Sequence, residues 1–250
     1  MYFVLRSVDE AIATVKLSRG KVNAINEELT EELRGCLEEL GEDPQVRAVV
    51  LTGQGSFFSF GLDIPAFLTY PKRDFMRFVE KFADLYTYLF MSKKPVVAAL
   101  NGHTIAGGCM LASACDYRIM VSGKTRISLN EINFGSSLFP GSVEMLKYCA
   151  GQRNAELIAY TGAMYGAEEA KDLGLIDQVV PEADLAYTSM KVAREFAGRY
   201  SPAFESIKKL LRIDTSEQMR LKDRRYAEEM VDIWYSEQTW KQLENIRIHA

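Results

Sequence analysis

Two short stretches hold the residues whose types and spacing can do chemistry. FFSFGLDI (residues 57–64) and NGHTIAGGCML (residues 101–111) each place glycine in a turn after an apolar run, VRAVVLT in the first case and PVVAAL in the second. Glycine admits backbone angles closed to other residues and lets a ligand come close to the main chain. A turn at the end of a parallel strand can therefore aim a free N–H into a crevice. Two such turns aimed at one oxygen make an oxyanion hole, whose donors meet negative charge as it develops in the transition state; each is worth about 2.7–4 kcal/mol. Taken singly, either turn reads first as ordinary turn chemistry.

Other chemistries lack their residues. There is no G-x-G-x-x-G after a strand, no G-x-x-x-x-G-K-[ST] and no G-x-S-x-G elbow, which removes the simplest dinucleotide, nucleotide and serine-hydrolase readings. His103 and His249 are the only histidines, so a Ser-His-Asp arrangement has one plausible base at most. Next to a glycine turn, His103 reads more readily as a packed turn histidine than as a catalyst. Cys36, Cys109, Cys115 and Cys149 form no C-x-x-C pair, which points to a reduced, metal-free interior.

The elements that must position the two turns follow from periodicity. Residues 2–8 and 11–17 read as strands around a tight turn at Asp9 and Glu10, and residues 46–52 as a buried strand. Between them Leu29, Leu33, Cys36, Leu37 and Leu40 fall on one helical stripe, with glutamates loading the first turns where the helix dipole favours them. A second amphipathic helix spans 73–91; the strand 95–100, a short helix after Gly108 and the strand DYRIMV follow. Strands joined by helices imply an α/β fold with a largely parallel sheet. After Pro140 the pattern is helical, with Val179 and Val180 as the one late strand-like pair. The chain therefore divides into an α/β core, 1–195, and a helical C-terminal region, 196–250. Ile233, Trp234, Tyr235 and Trp240 in that region either pack on the chain's own core or cover a neighbouring subunit.

At 250 residues the chain can bury a large core without crosslinks. A formal charge of −4 with scattered Lys and Arg offers no basic stripe for nucleic acid. The start MYFVLRSVDE lacks the pattern of an export signal, no apolar run is long enough to span a membrane, and the final IHA is not a peroxisomal signal; the expectation is a cytoplasmic protein.

In order along the chain, KVNAIN (21–26), FSFGLDI, KPVVAALNGHTIAGGCMLA, CDYRIM, ISLNEINFG and GAMYGAEEAKDLGLIDQVVPE resemble the crotonase superfamily of acyl-CoA hydratases and isomerases. The ordered set covers nearly the whole chain. The resemblance implies a spiral of repeated ββα units with a helical C-terminal trimerisation region, as a homotrimer or dimer of trimers. It implies an acyl-CoA substrate, coenzyme A entering as part of it, and no metal or redox cofactor.

By the same resemblance, the amides of Leu62 and Gly107 hold the thioester oxygen. The backbone around Ala24 and the segment of Phe60, Gly61, Leu62 and Asp63 bind the coenzyme, with Lys21 as a further phosphate contact. Asp63 also reads as a turn residue bonding its own backbone. Family hydratases carry two glutamates; here Met110 stands at the first position and Glu131 matches the second. One acid suffices to move a double bond, by taking a proton and returning it two carbons away. The combination AGGCML with LNE is most similar to the Δ3,Δ2-enoyl-CoA isomerases, with Met110 lining an acyl pocket that excludes water. A hydratase, another acyl-CoA enzyme such as a hydrolase or ring-modifying member, and a non-catalytic acyl-CoA-binding relative remain as alternatives. Phe60, in place of a small residue, and Ala106, in place of the first of three glycines, depart from the family pattern.

Overall fold

The computed structural model describes residues 3–247, so His249 and the IHA tripeptide lie outside the described residues. The chain opens with an antiparallel hairpin, β1 (Val4–Asp9) and β2 (Ile12–Leu17). Its turn residues are Glu10 and Ala11, both at positive φ, one position later than expected and as the right-handed twist of a two-residue hairpin demands. Helix α1 (Glu27–Glu42) starts at Asn26, whose side chain accepts from the Leu29 N–H, and buries Leu29, Leu33, Leu37 and Leu40 as the stripe predicts.

Three units of two strands and a helical segment follow. The first is β3 (Ala48–Gly53), β4 (Phe57–Ser59), α2 (Ile64–Phe67) and α3 (Lys72–Phe90). The second is β5 (Val96–Leu100), β6 (His103–Ile105) and α4 (Gly107–Ala114). The third is β7 (Tyr117–Val121), β8 (Ile127–Ser128) and a 3-10 turn, Glu131–Phe134. The remainder is α5 (Ser142–Thr161), α6 (Ala167–Asp172), β9 (Gln178–Val180), α7 (Leu185–Ala197), α8 (Ser201–Trp234) and α9 (Glu237–Leu243). Gly151 breaks the helical path inside α5, between the two segments that the sequence pattern separates.

The first strands of the units join the hairpin in a six-stranded sheet, β1-β2-β3-β5-β7-β9, parallel beyond β2. The second strands form a parallel sheet of their own, β4-β6-β8. These second strands are those of the repeated ββα units that the resemblance implies; the periodicity reading alone ran each glycine turn directly from the long strand. The turns instead leave β4 and β6, so neighbouring strands of one small sheet bring them together. Its strands are two or three residues long, too short to show a period of two.

The C-terminal region folds back over its own chain. Arg212 donates to the carbonyls of Phe90, Ala114 and Cys115 at the C-terminal ends of α3 and α4, where a cation meets the negative end of each helix. Lys208 and Arg212 both pair with Asp116, at 2.8 and 3.2 Å, and Tyr86 donates to Asp223 at 2.7 Å. Trp234 is 3% exposed and stacks on Phe75 with ring centroids 4.6 Å apart. Tyr235 and Trp240, both half-buried, pack with Trp234 against the chain's own core, and Ile233 is half-buried. Residue 195 lies in the last turn of α7, which packs on the large sheet; the chain turns toward α8 at residues 198–200.

Candidate active site

The two glycine turns meet. Gly61, at φ +94°, stands so close to the second turn that a Cβ there would lie 2.8 Å from Ala106 Cβ and 3.2 Å from the Gly107 nitrogen. Asn23, itself at positive φ, pins the first turn from below: its side-chain amide donates to the carbonyls of Gln54, Phe57 and Phe58. The Ala24 strand segment then pairs with the turn, Ile25 N–H donating to Gly61 O at 2.7 Å and Asp63 N–H to Ile25 O at 2.8 Å. The Leu62 N–H lies between those two bonds and donates to no acceptor among the described residues. The same is true of Gly107 N–H, the first amide of α4, where the positive end of the helix dipole is exposed. Two uncommitted donors on adjoining turns are the geometry that an oxyanion requires.

Ala106 carries the cost of this arrangement. It sits at φ +48° and ψ −116°, a conformation suited to glycine and strained for a residue with a Cβ by about 1–3 kcal/mol.

Beside the turns lies a cavity of about 210 Å³. Phe60, Leu62, Ala106 and Glu131 are in its wall, together with Trp234 from the end of α8 and Ile246 beyond α9. Glu131 begins the 3-10 turn after β8 and is 6% exposed. Its Oε2 has no hydrogen-bond partner among the described residues. Burial disfavours the charged form and pushes the carboxyl up to about 8, against a smaller opposing pull from its own backbone N–H. Among the described residues it is the one carboxylate in the wall, poised to hold or release a proton near neutral pH.

Not every expected residue reaches this cavity. Met110, expected in the acyl pocket, is 1% exposed and belongs to the main apolar core, outside the cavity wall; the whole of α4 is buried, and its side chains serve packing. Asp63 is also outside. Its carboxylate caps α2 by accepting from Ala66 N–H and pairs with Arg19 at 2.6 Å, so the turn-residue reading describes it better than substrate contact. Ala24 is buried with its carbonyl accepting from Arg19 at 2.8 Å, and Lys21 is exposed. His103 packs at 5.1 Å from Phe57, its Nδ1 accepting from Arg126 N–H; burial and the nearby Arg126 charge hold its pKa down.

Sequence reasoning missed Arg19, Asn130 and the roles of Met230, Trp234 and Ile246 in the wall. Asn130 adjoins Glu131 in the chain, and that was the one available signal. Nothing local links the end of α8 to a glycine turn.

Residues 7–244 match the enoyl-CoA hydratase/isomerase family. The mitochondrial enoyl-CoA hydratase of Pongo abelii is 32% identical over 193 residues, covering 77% of this chain and 66% of that protein. The human mitochondrial enoyl-CoA delta isomerase 1 is 30% identical over 210 residues, covering 83% and 70%. The crystal structure of human mitochondrial delta3-delta2-enoyl-CoA isomerase superposes with a TM-score of 0.92 at 28% identity, over 97% of this chain and 96% of that one. Hydratase and isomerase relatives stand at nearly equal identity, so the choice between the two reactions rests on the site. By this match over residues 7–244, the chain belongs to the enoyl-CoA hydratase/isomerase family.

Proposed function

We propose that the protein moves the double bond of a 3-enoyl-CoA to the 2-position, with Glu131 as the single acid and base. Glu131 carboxylate removes a proton from C2. The electron pair of that C–H bond passes into the conjugated system and onto the thioester oxygen as a dienolate, held by the Leu62 and Gly107 N–H groups. Glu131 then returns the proton at C4, leaving the double bond between C2 and C3. Phe60, Gly61 and the backbone near Ala24 carry the coenzyme part of the substrate in this reading.

The observation that carries the proposal is the lone carboxylate. Hydration needs one group to handle water and another to deliver a proton at the α-carbon, whereas the shift needs one base. With Met110 at the position of the family's other acid and no second carboxylate in the wall among the described residues, the shift is the better supported reaction. No metal or redox cofactor enters the step. Exposed Tyr200, Leu210 and Leu211 on and beside α8 support assembly with further copies, as a homotrimer or dimer of trimers, which light scattering checks. Among the described residues no helix is long and apolar enough to cross a membrane.

Incubation with trans-3-hexenoyl-CoA tests the reading. Conjugated 2-hexenoyl-CoA is the expected product; 3-hydroxyacyl-CoA formation or thiol release from other acyl-CoAs, with no shift of the 3-enoyl bond, would reject it.

A further inference from the structure

Glu131 is held in place by its backbone. No side chain among the described residues bonds its carboxyl group, and no ion pair reaches it. The element it begins is a single 3-10 turn, Glu131–Phe134, with no side-chain cap from Asn130. So short a turn has poor hydrogen-bond geometry and does not stand alone, so the place of the carboxyl group depends on what grips the turn from outside. One grip is Asn133, whose side-chain amide donates to Gly162 O at 2.8 Å. A second comes from α9.

Thr239 Oγ1, on α9, donates to the Gly135 carbonyl at 2.7 Å, and the Ser136 N–H donates to the Glu131 carbonyl at 3.0 Å. The Gly135 carbonyl and the Ser136 N–H belong to one peptide group, which is planar and moves as a unit. A rigid plane therefore connects the Thr239 hydroxyl to the main chain of Glu131, and hydrogen bonds in series polarise and strengthen one another. The fit is close. Gly135 closes the turn at φ +78°, and a Cβ there would lie 3.2 Å from Thr239 Oγ1. Thr239 is 2% exposed, so its hydroxyl is spent on this carbonyl rather than on water, and Ser236 caps α9 by accepting from the Thr239 N–H.

We infer that Thr239 is a positioning residue for the reaction: through the peptide group between Gly135 and Ser136 it holds Glu131 against the cavity. The inference rests on the reading of Glu131 as the acid and base, and deepens it by giving the C-terminal helix a part in the chemistry. Misplacing a reacting group by about 1 Å costs about a hundredfold in rate. Loss of the grip also lets water reach a carboxyl group whose raised pKa comes from burial. The titratable neighbour is Cys109 on α4, whose thiol is kept protonated by burial and by Glu131 itself.

Thr239→Val removes the hydroxyl at nearly constant shape, Thr239→Ser keeps it, and Thr239→Ala answers the question if the valine variant does not fold. Each is read by kcat and KM on trans-3-hexenoyl-CoA across pH. Each is also read by carbon NMR titration of the Glu131 carboxyl in glutamate-labelled protein, with the signal assigned by its absence in Glu131→Gln. Thr239→Val should lose about ten- to a hundredfold in kcat with KM within about twofold. Its Glu131 should titrate below the parent value, so kcat/KM levels off at lower pH. Thr239→Ser should restore both kcat and the titration. A folded valine or alanine variant with unchanged kcat, or with Glu131 titrating as in the parent, would overturn the inference, and so would a serine variant that behaves as the valine one does. Should the parent isomerise no 3-enoyl-CoA while Thr239→Val still shifts the Glu131 titration and serine restores it, the isomerase reading fails and the positioning of Glu131 stands.

Discussion

A Cβ built on Gly61 would lie 2.8 Å from Ala106 Cβ, so the two donor turns touch with no room for a side chain between them. Gly61→Ala therefore both clashes and forces a side chain onto φ +94°. The expected outcome is a fall in kcat of about a hundredfold, the effect of displacing one oxyanion donor, read by steady-state kinetics on 3-hexenoyl-CoA.

Ala106→Gly acts in the opposite sense. It removes the strain of φ +48°, partly offset by the greater freedom of glycine in the unfolded chain. A net gain of about 1 kcal/mol raises Tm by about 2–4 °C in a chain of this size, measured by calorimetry. An unchanged or lower Tm would mean that the surrounding turn does not strain Ala106.

Glu131→Gln keeps the shape of the side chain and removes the base. Turnover should drop by about 10²–10⁴-fold while acyl-CoA binding stays within a few-fold. Unchanged turnover with intact binding would remove Glu131 from the mechanism.

The raised Glu131 pKa gives two pH effects. The free enzyme needs the carboxylate, so kcat/KM should climb with pH and level off above about 8. For stability, the folded state holds this proton more tightly than the unfolded chain. The contribution is therefore full below the ordinary glutamate pKa and is lost as pH rises through about 8. Glu131→Gln should flatten that part of the Tm profile and leave the variant more stable than the parent at pH 9.

Arg19 bridges Asp63 and the Ala24 carbonyl through two nitrogens of one guanidinium, at 2.6 and 2.8 Å, and so braces the segment that presents Leu62. Lysine keeps the charge but not the fork. Arg19→Lys should lower kcat/KM by about tenfold, with the loss mainly in kcat, as expected when a donor moves rather than when binding area is lost.

How much of this was legible in the sequence depended on the range over which each feature is encoded. The α1 stripe, the long strands and the two glycine turns are local patterns, and they appear where their spacing places them. Glu131 was found through its motif, and the structure puts it in the cavity wall. The sheet of β4, β6 and β8 was invisible to periodicity, because strands of two or three residues carry no period, and entered only through the ββα units of the family resemblance. Met110 was misplaced because an apolar residue on a wholly buried helix has the same sequence signature whether it faces a cavity or the core. Trp234 and Arg19 act through tertiary contacts that no local spacing announces.

The central claim is that one carboxyl group carries hydrogen from C2 to C4. Isomerisation of 2,2-dideuterio-3-hexenoyl-CoA in ordinary water, with the product analysed at early times, measures that transfer directly. The account predicts deuterium at C4 of the 2-enoyl product and loss of the reaction in Glu131→Gln. Product formed at full rate with no deuterium at C4, from either protein, would contradict it.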